Sequence, residues 1–380
     1  MTAVGSEPCY SDPVTGRHYA LGDPRWRSDD GHPLSIIELC GLRASEIDVS
    51  ERSLWRYRKA LPIPIANPVC LGEGVTPLIQ RTWNGRQCHF KLEWFAPTGS
   101  FKDRGASVMV SFLQQLGIAA ILEDSSGNGG AAIAAYGAAA GMRVKILAPA
   151  NAQPPKIAQI KAYGAEVQLV EGPREATEAE AIRQSSEVFY ASHNWHPFFL
   201  QGTKTLGYEL WEDLGFHPPD NIIIPTGAGS NVLGCDLAFT ELMRADQIHT
   251  LPRLFAAQPE NCAPIHAHYQ ADRHAMDALH FAPTVAEGAS IKNPVRLGSV
   301  LKAIRRSGGN TVAVSEAQIV AACRGLAAQG LYVEPTSAVA AAAFDLLCRR
   351  GEIGPDETTV VVLTGSGLKA SAFMTELFSH

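Results

Sequence analysis

The sequence predicts an α/β fold in which helices cover both faces of a parallel sheet. Short apolar runs typical of buried strands alternate with longer amphipathic segments from residue 118 to the C-terminus. Two of these strands lead into glycine-rich turns that open helices, at 124–130 and 225–231. The 380 residues, 46% hydrophobic and 18% charged, suffice for two such bodies or one large one.

Each predicted element follows from a local pattern. Apolar runs enriched in Val, Ile and Leu predict strands at 119–122, 143–147, 166–170, 221–224, 253–257, 311–314 and 358–363. Amphipathic or alanine-rich segments predict helices at 102–113, 156–163, 175–188, 202–214, 230–244, 316–329 and 335–349.

Lys102 stands where a loop gives way to a helix. The loop ends in Phe101, and an apolar run at 106–113 continues the helix. Because an ammonium group is costly to bury, a lysine held there would be biased toward the uncharged amine, the form that condenses with an aldehyde. Taken alone, such a lysine is more often an ordinary helix-terminus residue.

The two glycine-rich turns share one geometry. Each follows a predicted strand and precedes a predicted helix, so unpaired backbone N–H groups point out of the turn toward an anion. Together with Lys102, they predict a site that holds two anionic groups near one amine. A phosphorylated aldehyde and the carboxylate of an amino acid fit that description.

Five motifs in this order resemble those of fold-type II pyridoxal-phosphate enzymes, and of threonine synthase in particular. They are PTGSFKDRGA at 97–106, SSGNGG at 125–130, TGAGSN at 226–231, EPTSA at 334–338 and TGSGLK at 364–369. The resemblance implies a three-layer αβα fold of the tryptophan-synthase-β type, two parallel-sheet domains with pyridoxal 5'-phosphate between them. It also implies a small mobile domain at 105–194, a large cofactor-binding domain at 70–104 and 195–380, and an extension at 1–69.

The resemblance assigns roles to the lysine and to the second turn. Lys102 becomes the Schiff-base lysine and the base that moves the proton at Cα. The residues assigned to the cofactor phosphate are Gly227, Ala228, Gly229, Ser230 and Asn231. A dinucleotide site is the alternative for this turn, but the next glycine is Gly234, which does not fit the GxGxxG spacing.

Three further residues are assigned to the cofactor ring. Asn128 corresponds to the asparagine that contacts the ring hydroxyl, and Thr364 to the hydroxyl that meets the pyridine nitrogen, with Ser366 as second choice. In the family, a hydroxyl at that nitrogen goes with elimination and replacement at Cβ or Cγ. Glu334 would help to orient the ring, and a charge at a helix N-terminus is its alternative role.

The substrate is assigned to the first turn and to residue 199. Ser125, Ser126 and Gly127 would hold the substrate carboxylate, with Gly129 beside them. Close helix–strand packing is the alternative reason for the glycines that end this turn. The family arginine that helps to clamp a substrate phosphate falls on Phe199 here. Loss of an arginine fork weakens a site for a phosphate dianion, and an aromatic ring indicates an apolar side-chain pocket.

These assignments predict a threonine-synthase-like carbon–oxygen lyase that eliminates at Cβ or Cγ of an amino acid and adds a nucleophile. O-Phosphohomoserine is a candidate substrate. One alternative is a β-eliminating serine or threonine dehydratase, or a β-replacement synthase that uses an O-activated serine. The alternative from another class is a protein that binds pyridoxal phosphate without turnover.

The extension resembles a degenerate zinc ribbon. Cys9 is the one cysteine left at the first ligand pair, and Ser28 and Asp30 occupy the positions of the second pair. A structural zinc site needs about four closely spaced sulfur or imidazole ligands, so we predict no metal. A helix at 53–57, containing Trp55 and Tyr57 as packing residues, is predicted to anchor the extension on the core.

Charge and cysteine usage exclude several classes of protein. A formal net charge of −6 argues against general nucleic-acid binding, which needs a basic face. No apolar run is long enough to span a bilayer and no signal-peptide pattern is present, which predicts a cytoplasmic protein without a membrane partner. The eight cysteines form no CxxC pair, which is typical of reduced thiols. The resemblance adds a homodimer that binds a small amino-acid substrate.

Overall fold

The computed structural model describes residues 7–37, 39–150, 152, 154–270 and 281–379. The strands, in chain order, are β1 Cys9–Ser11, β2 His18–Ala20, β3 Ser35–Ile37, β4 Leu78–Trp83, β5 Arg86–Leu92, β6 Ala120–Glu123, β7 Arg143–Pro149, β8 Glu166–Val170, β9 Phe189–Tyr190, β10 Asn221–Pro225, β11 Arg253–Pro259, β12 Asn310–Val314 and β13 Thr359–Leu363. The helices are α1 Lys102–Gln115, α2 Asn128–Ala139, α3 Pro154–Ala162, α4 Arg174–Gln184, α5 Pro197–Thr203, α6 Thr205–Asp213, α7 Ser230–Arg244, α8 Pro264–Gln270, α9 Leu297–Arg306, α10 Glu316–Ala328, α11 Pro335–Arg349 and α12 Ser371–Phe378.

The chain divides into two compact units. The first contains the residues up to Glu73 together with Lys102–Thr205, and the second contains Gly74–Phe101 with Leu206–His380. Each unit has its own parallel sheet, which confirms the predicted α/β class.

The sheet of the first unit has four parallel strands in the order β8-β7-β6-β9. Helix α1 is buried from Asp103 to Leu113, because small and apolar residues occupy nearly every position after its first turn. It packs with α2, whose buried positions include Ala131, Ala132, Ala134 and Ala135, into one hydrophobic core. Small side chains allow this close packing. Both helices, including their N-termini, belong to the first unit.

The extension shares that core. Its strands β1, β2 and β3 form an antiparallel sheet in the order β2-β1-β3. Tyr10 and Trp55 are buried in the same cluster as Phe112 of α1. The helix predicted at 53–57 is a 3₁₀ helix over Leu54–Ala60. Trp55 and Tyr57 are each 1% exposed, which confirms both as packing residues.

The sheet of the second unit has six strands in the order β12-β11-β10-β13-β5-β4. Strands β10 and β13 are buried at every position, as expected for central parallel strands covered on both faces. The pairing of β4 with β5 is antiparallel and turns at Asn84 and Gly85, whose φ angles are 47° and 80°. We did not predict this hairpin, although an Asn-Gly pair between apolar runs is its usual signal.

The prediction of one helix at 202–214 is wrong, because two helices, α5 and α6, cover this region. Helix α5 begins earlier, since the side chain of His196 caps it and Pro197 occupies its first turn. Near its end, the hydroxyls of Thr203 and Thr205 donate to carbonyls three residues back, at 3.2 and 2.7 Å. These bonds compete with the backbone ladder and interrupt the helix.

Hydrogen bonds hold the turn of the extension that resembles a zinc ribbon. Asp12 is fully buried, its Oδ2 lies 3.0 Å from Nδ1 of His32, and its Oδ1 accepts the N–H of Val14 at 2.9 Å. Across the part of the chain that the structure describes, no group of three or more His, Cys, Asp and Glu side chains is arranged to hold a metal ion. The eight cysteines are free thiols. None of the described helices is long and apolar enough to cross a membrane.

Candidate active site

The start of α1 holds Lys102, the first residue of the helix, which is half-buried. Its Nζ lies 5.6 Å from the centroid of the Phe199 ring. Phe199 is fully buried, and its ring lies against Gly105, where an added Cβ would come within 2.5 Å of it. The glycine one turn into α1 therefore lets the aromatic ring approach the helix that carries the lysine.

Two buried ionisable groups act on Lys102 within the same unit. Glu123 ends β6 and is fully buried, and its Oε1 lies 2.8 Å from Nδ1 of His193. Burial raises the pKa of Glu123 to about 7, although the backbone N–H of His193 and the charge of Lys102 oppose this shift. Burial and the charge of Lys102 hold the pKa of His193 well below its usual range. Near pH 7 we therefore expect a neutral imidazole beside a partly protonated carboxyl group, and at higher pH a neutral imidazole beside a carboxylate.

We did not predict a role for Glu123 or His193 from the sequence. The available signal was a pair of carboxylates, Glu123 and Asp124, that ends a buried strand directly before a glycine-rich turn. Buried carboxylates are costly and need a partner, so such a pair indicates a nearby cation or imidazole.

The first glycine-rich turn connects β6 to α2. Its half-exposed residues are Ser126, Gly127 and Asn128. Ser125 is buried, and its Oγ accepts the N–H of Gly127 at 3.3 Å. Helix α2 begins at Asn128 without a side-chain cap. At Gly129 an added Cβ would lie 2.7 Å from Cε1 of His193, so this glycine makes room for the imidazole.

The second glycine-rich turn connects β10 to α7 in the other unit. Gly229 has a φ of 94°, a conformation that favours glycine, and an added Cβ there would overlap the side chain of Val300. Helix α7 begins at Ser230 without a side-chain cap. Asn231 is 3% exposed, and its Oδ1 and Nδ2 have no hydrogen-bond partner among the described residues. A buried amide without a partner indicates a missing polar ligand.

The C-terminal motifs lie in the second unit. Thr364 is 2% exposed, and its Oγ1 lies 3.2 Å from Oγ of Ser337, which accepts the N–H of Gly365 at 2.8 Å. The hydroxyl of Ser366, the second choice, instead caps the turn that follows it. Glu334 is the N-cap residue of α11 and is 8% exposed. Thr364 is therefore the more buried of the two candidate hydroxyls.

Comparison with known proteins identifies the family. The family model described as Pyridoxal-phosphate dependent enzyme matches residues 69–365. The chain belongs to this family.

Two relatives of this pyridoxal-phosphate enzyme indicate the class of reaction. A threonine synthase of Methanosarcina acetivorans is 36% identical over 83% of this chain and 80% of the relative. A threonine synthase of Methanocaldococcus jannaschii is 34% identical over 93% of this chain and 91% of the relative. The chain is thus a threonine-synthase-like lyase that depends on pyridoxal phosphate.

Solved structures share its fold. Maize serine racemase has a TM-score of 0.64 and 22% identity, covering 80% of this chain and 92% of that one. A processed threonine deaminase from Solanum lycopersicum has a TM-score of 0.65 and 21% identity, covering 80% and 83%. Together with the family match, these similarities confirm the fold-type II class that the motifs predicted.

The residues present fit pyridoxal phosphate. The start of α7, which has no side-chain cap, offers hydrogen-bond donors suited to a phosphate, as does Asn231, whose side-chain amide is unpaired within the described part of the chain. Among the lysines, Lys91 and Lys204 are fully buried in other contacts. Nζ of Lys91 lies 2.7 Å from carboxylate oxygens of Glu209 and Asp213, whereas that of Lys204 donates to a backbone carbonyl at 2.7 Å. Lys102, by contrast, is half-buried, and its Nζ lies 5.6 Å from the centroid of the Phe199 ring.

Proposed function

We propose that this lyase eliminates or replaces a substituent at Cβ or Cγ of an amino acid, and that Lys102 is the residue that carries the cofactor. The observation that carries the proposal is the turn before α7, where Gly229 is left-handed and the helix start has no side-chain cap. The buried amide of Asn231 follows there and has no hydrogen-bond partner among the described residues. Such a turn suits the phosphate of the cofactor.

The other cofactor contacts are proposed from the two units separately. Gly227, Ala228 and Ser230 would add backbone N–H groups to the phosphate, Asn128 would contact the ring hydroxyl, Thr364 would meet the pyridine nitrogen, and Glu334 would orient the ring. The buried hydroxyl pair formed by Thr364 and Ser337 supports the role of Thr364. Bound pyridoxal phosphate supplies an electron sink for negative charge that develops at Cα.

Lys102 would move the proton at Cα. Its place in the first turn of α1 fixes the backbone of the lysine, and the residue as a whole is half-buried. Ser125, Ser126 and Gly127 would hold the substrate carboxylate through the uncapped start of α2, with Gly129 beside them. Carboxylate binding there would direct the substrate Cα toward one fixed amine, which is the orientation that proton transfer requires.

The two candidate functions differ in the leaving group of the substrate. The relatives are named threonine synthases, and O-phosphohomoserine is one candidate substrate. Phe199 favours a second candidate, a β-eliminating dehydratase or a β-replacement synthase that acts on a serine-like substrate. Its fully buried, uncharged ring occupies the position assigned to the phosphate-clamping arginine and cannot pair with a dianion.

Product analysis separates these candidates. The purified holoenzyme would be incubated with O-phosphohomoserine, L-serine, L-threonine and O-acetylserine, and products would be identified by mass spectrometry. We expect turnover of at least one of them and a loss of about a thousandfold or more in Lys102→Ala. Lys102→Arg, which retains the charge, should be equally inactive. Turnover that survives in Lys102→Ala would contradict the assignment. Binding without turnover or exchange of the Cα proton in heavy water would indicate a non-catalytic pyridoxal-phosphate binder.

We also propose that the enzyme is a cytoplasmic homodimer. Free thiols in the described structure support a reducing compartment. Phe95 and Leu368, both in the second unit, are 61% and 77% exposed and are candidates for the subunit contact. Light scattering after size exclusion should give twice the mass of 40.7 kDa, and a monomer would contradict the dimer.

A further inference from the structure

The carboxylate of Glu123 fixes the orientation of the His193 side chain. Its Oε1 lies 2.8 Å from Nδ1 of His193 and accepts the N–H of Asp124 at 3.1 Å. Its Oε2 accepts the backbone N–H of His193 at 3.0 Å. Both oxygens are therefore engaged, and both residues are almost completely buried. An imidazole held at its ring and at its own backbone has one available orientation.

The same contacts set the tautomer of the ring. Burial and the charge of Lys102 hold the pKa of His193 well below its usual range, so the imidazole is neutral near pH 7. When Glu123 is ionised, the neutral ring carries its proton on Nδ1, which points at the carboxylate, and Nε2 keeps its lone pair as a hydrogen-bond acceptor.

The His193 ring lies against the proposed carboxylate turn and edge-on to Phe199, the aromatic ring near Lys102. A Cβ added to Gly129 would lie 2.7 Å from Cε1 of His193 and 3.1 Å from Oγ of Ser125. The ring centroids of His193 and Phe199 are 5.7 Å apart, and the Phe199 centroid is 5.6 Å from Nζ of Lys102. An amino acid whose carboxylate is held by this turn would have His193 among its nearest side chains, because the ring lies against Gly129 of the turn.

We propose that His193, oriented by Glu123, is a specificity-determining residue that accepts a hydrogen bond from a hydroxyl or amino group on the substrate side chain and disfavours a phosphate dianion. This inference rests on the proposed function, because it names the substrate class of that same site. The class is an amino acid whose Cβ or Cγ substituent carries a hydrogen-bond donor.

The charges around the pair explain the discrimination against phosphate. A phosphate dianion has no proton to donate to Nε2, and Glu123, whose Oε1 lies 2.8 Å from Nδ1, places negative charge behind the ring when it is ionised. The cations that act on the two acidic groups are Lys102 and Arg174 for Glu123, and Arg174 for Asp124. Because negative charge lies behind the ring, Nε2 of His193 favours a substrate side chain with a neutral hydrogen-bond donor over an anionic one.

The first experiment measures binding to the holoenzyme by the change in visible absorbance of the cofactor. L-Homoserine, its methyl analogue L-norvaline and O-phospho-L-homoserine would be titrated separately. We expect L-homoserine to bind at least about tenfold more tightly than either of the others. In His193→Phe, which keeps a ring but removes the acceptor, the preference over L-norvaline should disappear. Tighter binding of O-phospho-L-homoserine, or a preference unchanged in His193→Phe, would overturn the proposal.

The second experiment needs neither cofactor nor turnover. Nitrogen-15 chemical shifts of histidines in the cofactor-free protein, assigned by comparison with His193→Phe, should show His193 neutral and protonated on Nδ1 at about pH 8, where Glu123 is mostly ionised. Glu123→Gln should shift these signals and serves as a second variant should His193→Phe fail to fold. A ring protonated on Nε2 would overturn the inference. Loss of covalent cofactor attachment to Lys102 would instead contradict the proposed function, so the two failures are distinguishable.

Discussion

Each unit has a glycine-rich turn that leads from a parallel strand into a helix, and the two turns differ in the charge of the residues around them. The turn before α2 follows the buried carboxylates of Glu123 and Asp124, whereas the turn before α7 follows Pro225 and Thr226, which are uncharged. Both helices begin without a side-chain cap. A helix N-terminus attracts anions in either case, but the α2 turn directly follows two acidic residues and the α7 turn does not. The α7 turn therefore suits a resident phosphate, and the α2 turn suits a substrate that must also leave.

The turns also differ in how they use glycine. Position 229 requires glycine for two reasons: its φ angle is 94°, and a Cβ there would overlap the side chain of Val300. The N-cap of α2, Gly127, has a φ of −102° and nothing within 4 Å of an added Cβ. In α2 the crowded glycines are the two inside the first turn of the helix, Gly129 and Gly130. The predictions that follow test these differences.

The largest expected effect is at Gly130 in the α2 turn. An added Cβ would overlap the backbone carbonyl oxygen of Ser125, which cannot rotate away. We expect Gly130→Ala to lower the free energy of unfolding by about 3 kcal/mol or more, measured by urea denaturation. Gly298→Ala is the matched control, because Gly298 is also helical but has nothing within 4 Å of an added Cβ. It should be neutral or stabilising, and an equal loss in both variants would contradict the steric explanation.

Gly229→Ala should destabilise the α7 turn by about 2 kcal/mol and weaken cofactor retention at least about tenfold. The loss combines backbone strain with the overlap at Val300. Gly308→Ala separates the two, because Gly308 has a φ of 68° and nothing within 4 Å. That control should lose only about 1 kcal/mol and keep the cofactor. Cofactor retention after dialysis and thermal unfolding measure both effects.

The charge difference predicts a pH dependence of stability. The pKa of Glu123 is raised by burial from 4.5 to about 7 in the folded protein. Between these values the folded state binds more protons than the unfolded state, so this group's contribution to the free energy of unfolding falls as the pH rises. Glu123→Gln should therefore gain about 1 to 3 kcal/mol relative to the native protein between pH 5 and pH 8.

Urea denaturation of the native protein and Glu123→Gln across that pH range checks this prediction. The lowered pKa of His193 has the opposite effect on the free energy of unfolding. Because the folded protein holds this imidazole neutral, its contribution to stability grows as the pH rises toward 6.5. The imidazole is present in both proteins, as are Asp124, Lys102 and Arg174, the other charged groups that act on Glu123. A stability difference that does not change with pH would contradict the raised pKa.

The smallest expected effect is at Asn231. Because its buried amide has no partner among the described residues, Asn231→Ala should change the stability of the cofactor-free protein by less than about 1 kcal/mol. It should still weaken cofactor binding. Asn221→Ala is the control, since Nδ2 of Asn221 donates to Glu357 and Thr359. That variant should lose about 1 to 3 kcal/mol, as expected for a bonded buried amide. Equal losses in the two variants would mean that Asn231 is bonded within the protein.

Local patterns predicted the alternating elements, both glycine-rich turns and the place of Lys102 at the start of α1. These features depend on residues close in the chain, such as the apolar run of β10 and the glycine that follows it. The pairing of Glu123 with His193 joins residues 70 positions apart and depends on the parallel pairing of β6 with β9. The start of α5 was missed because its cap is a histidine, an uncommon residue in that role.

The most direct test of the central assignment is to find the lysine that carries the cofactor. Borohydride reduction of the holoenzyme fixes the cofactor to its amine, and peptide mass spectrometry then locates the modified residue. We predict a pyridoxyl group on Lys102 alone. Modification of Lys91, Lys204 or another lysine, with Lys102 unmodified, would contradict the assignment of the active site.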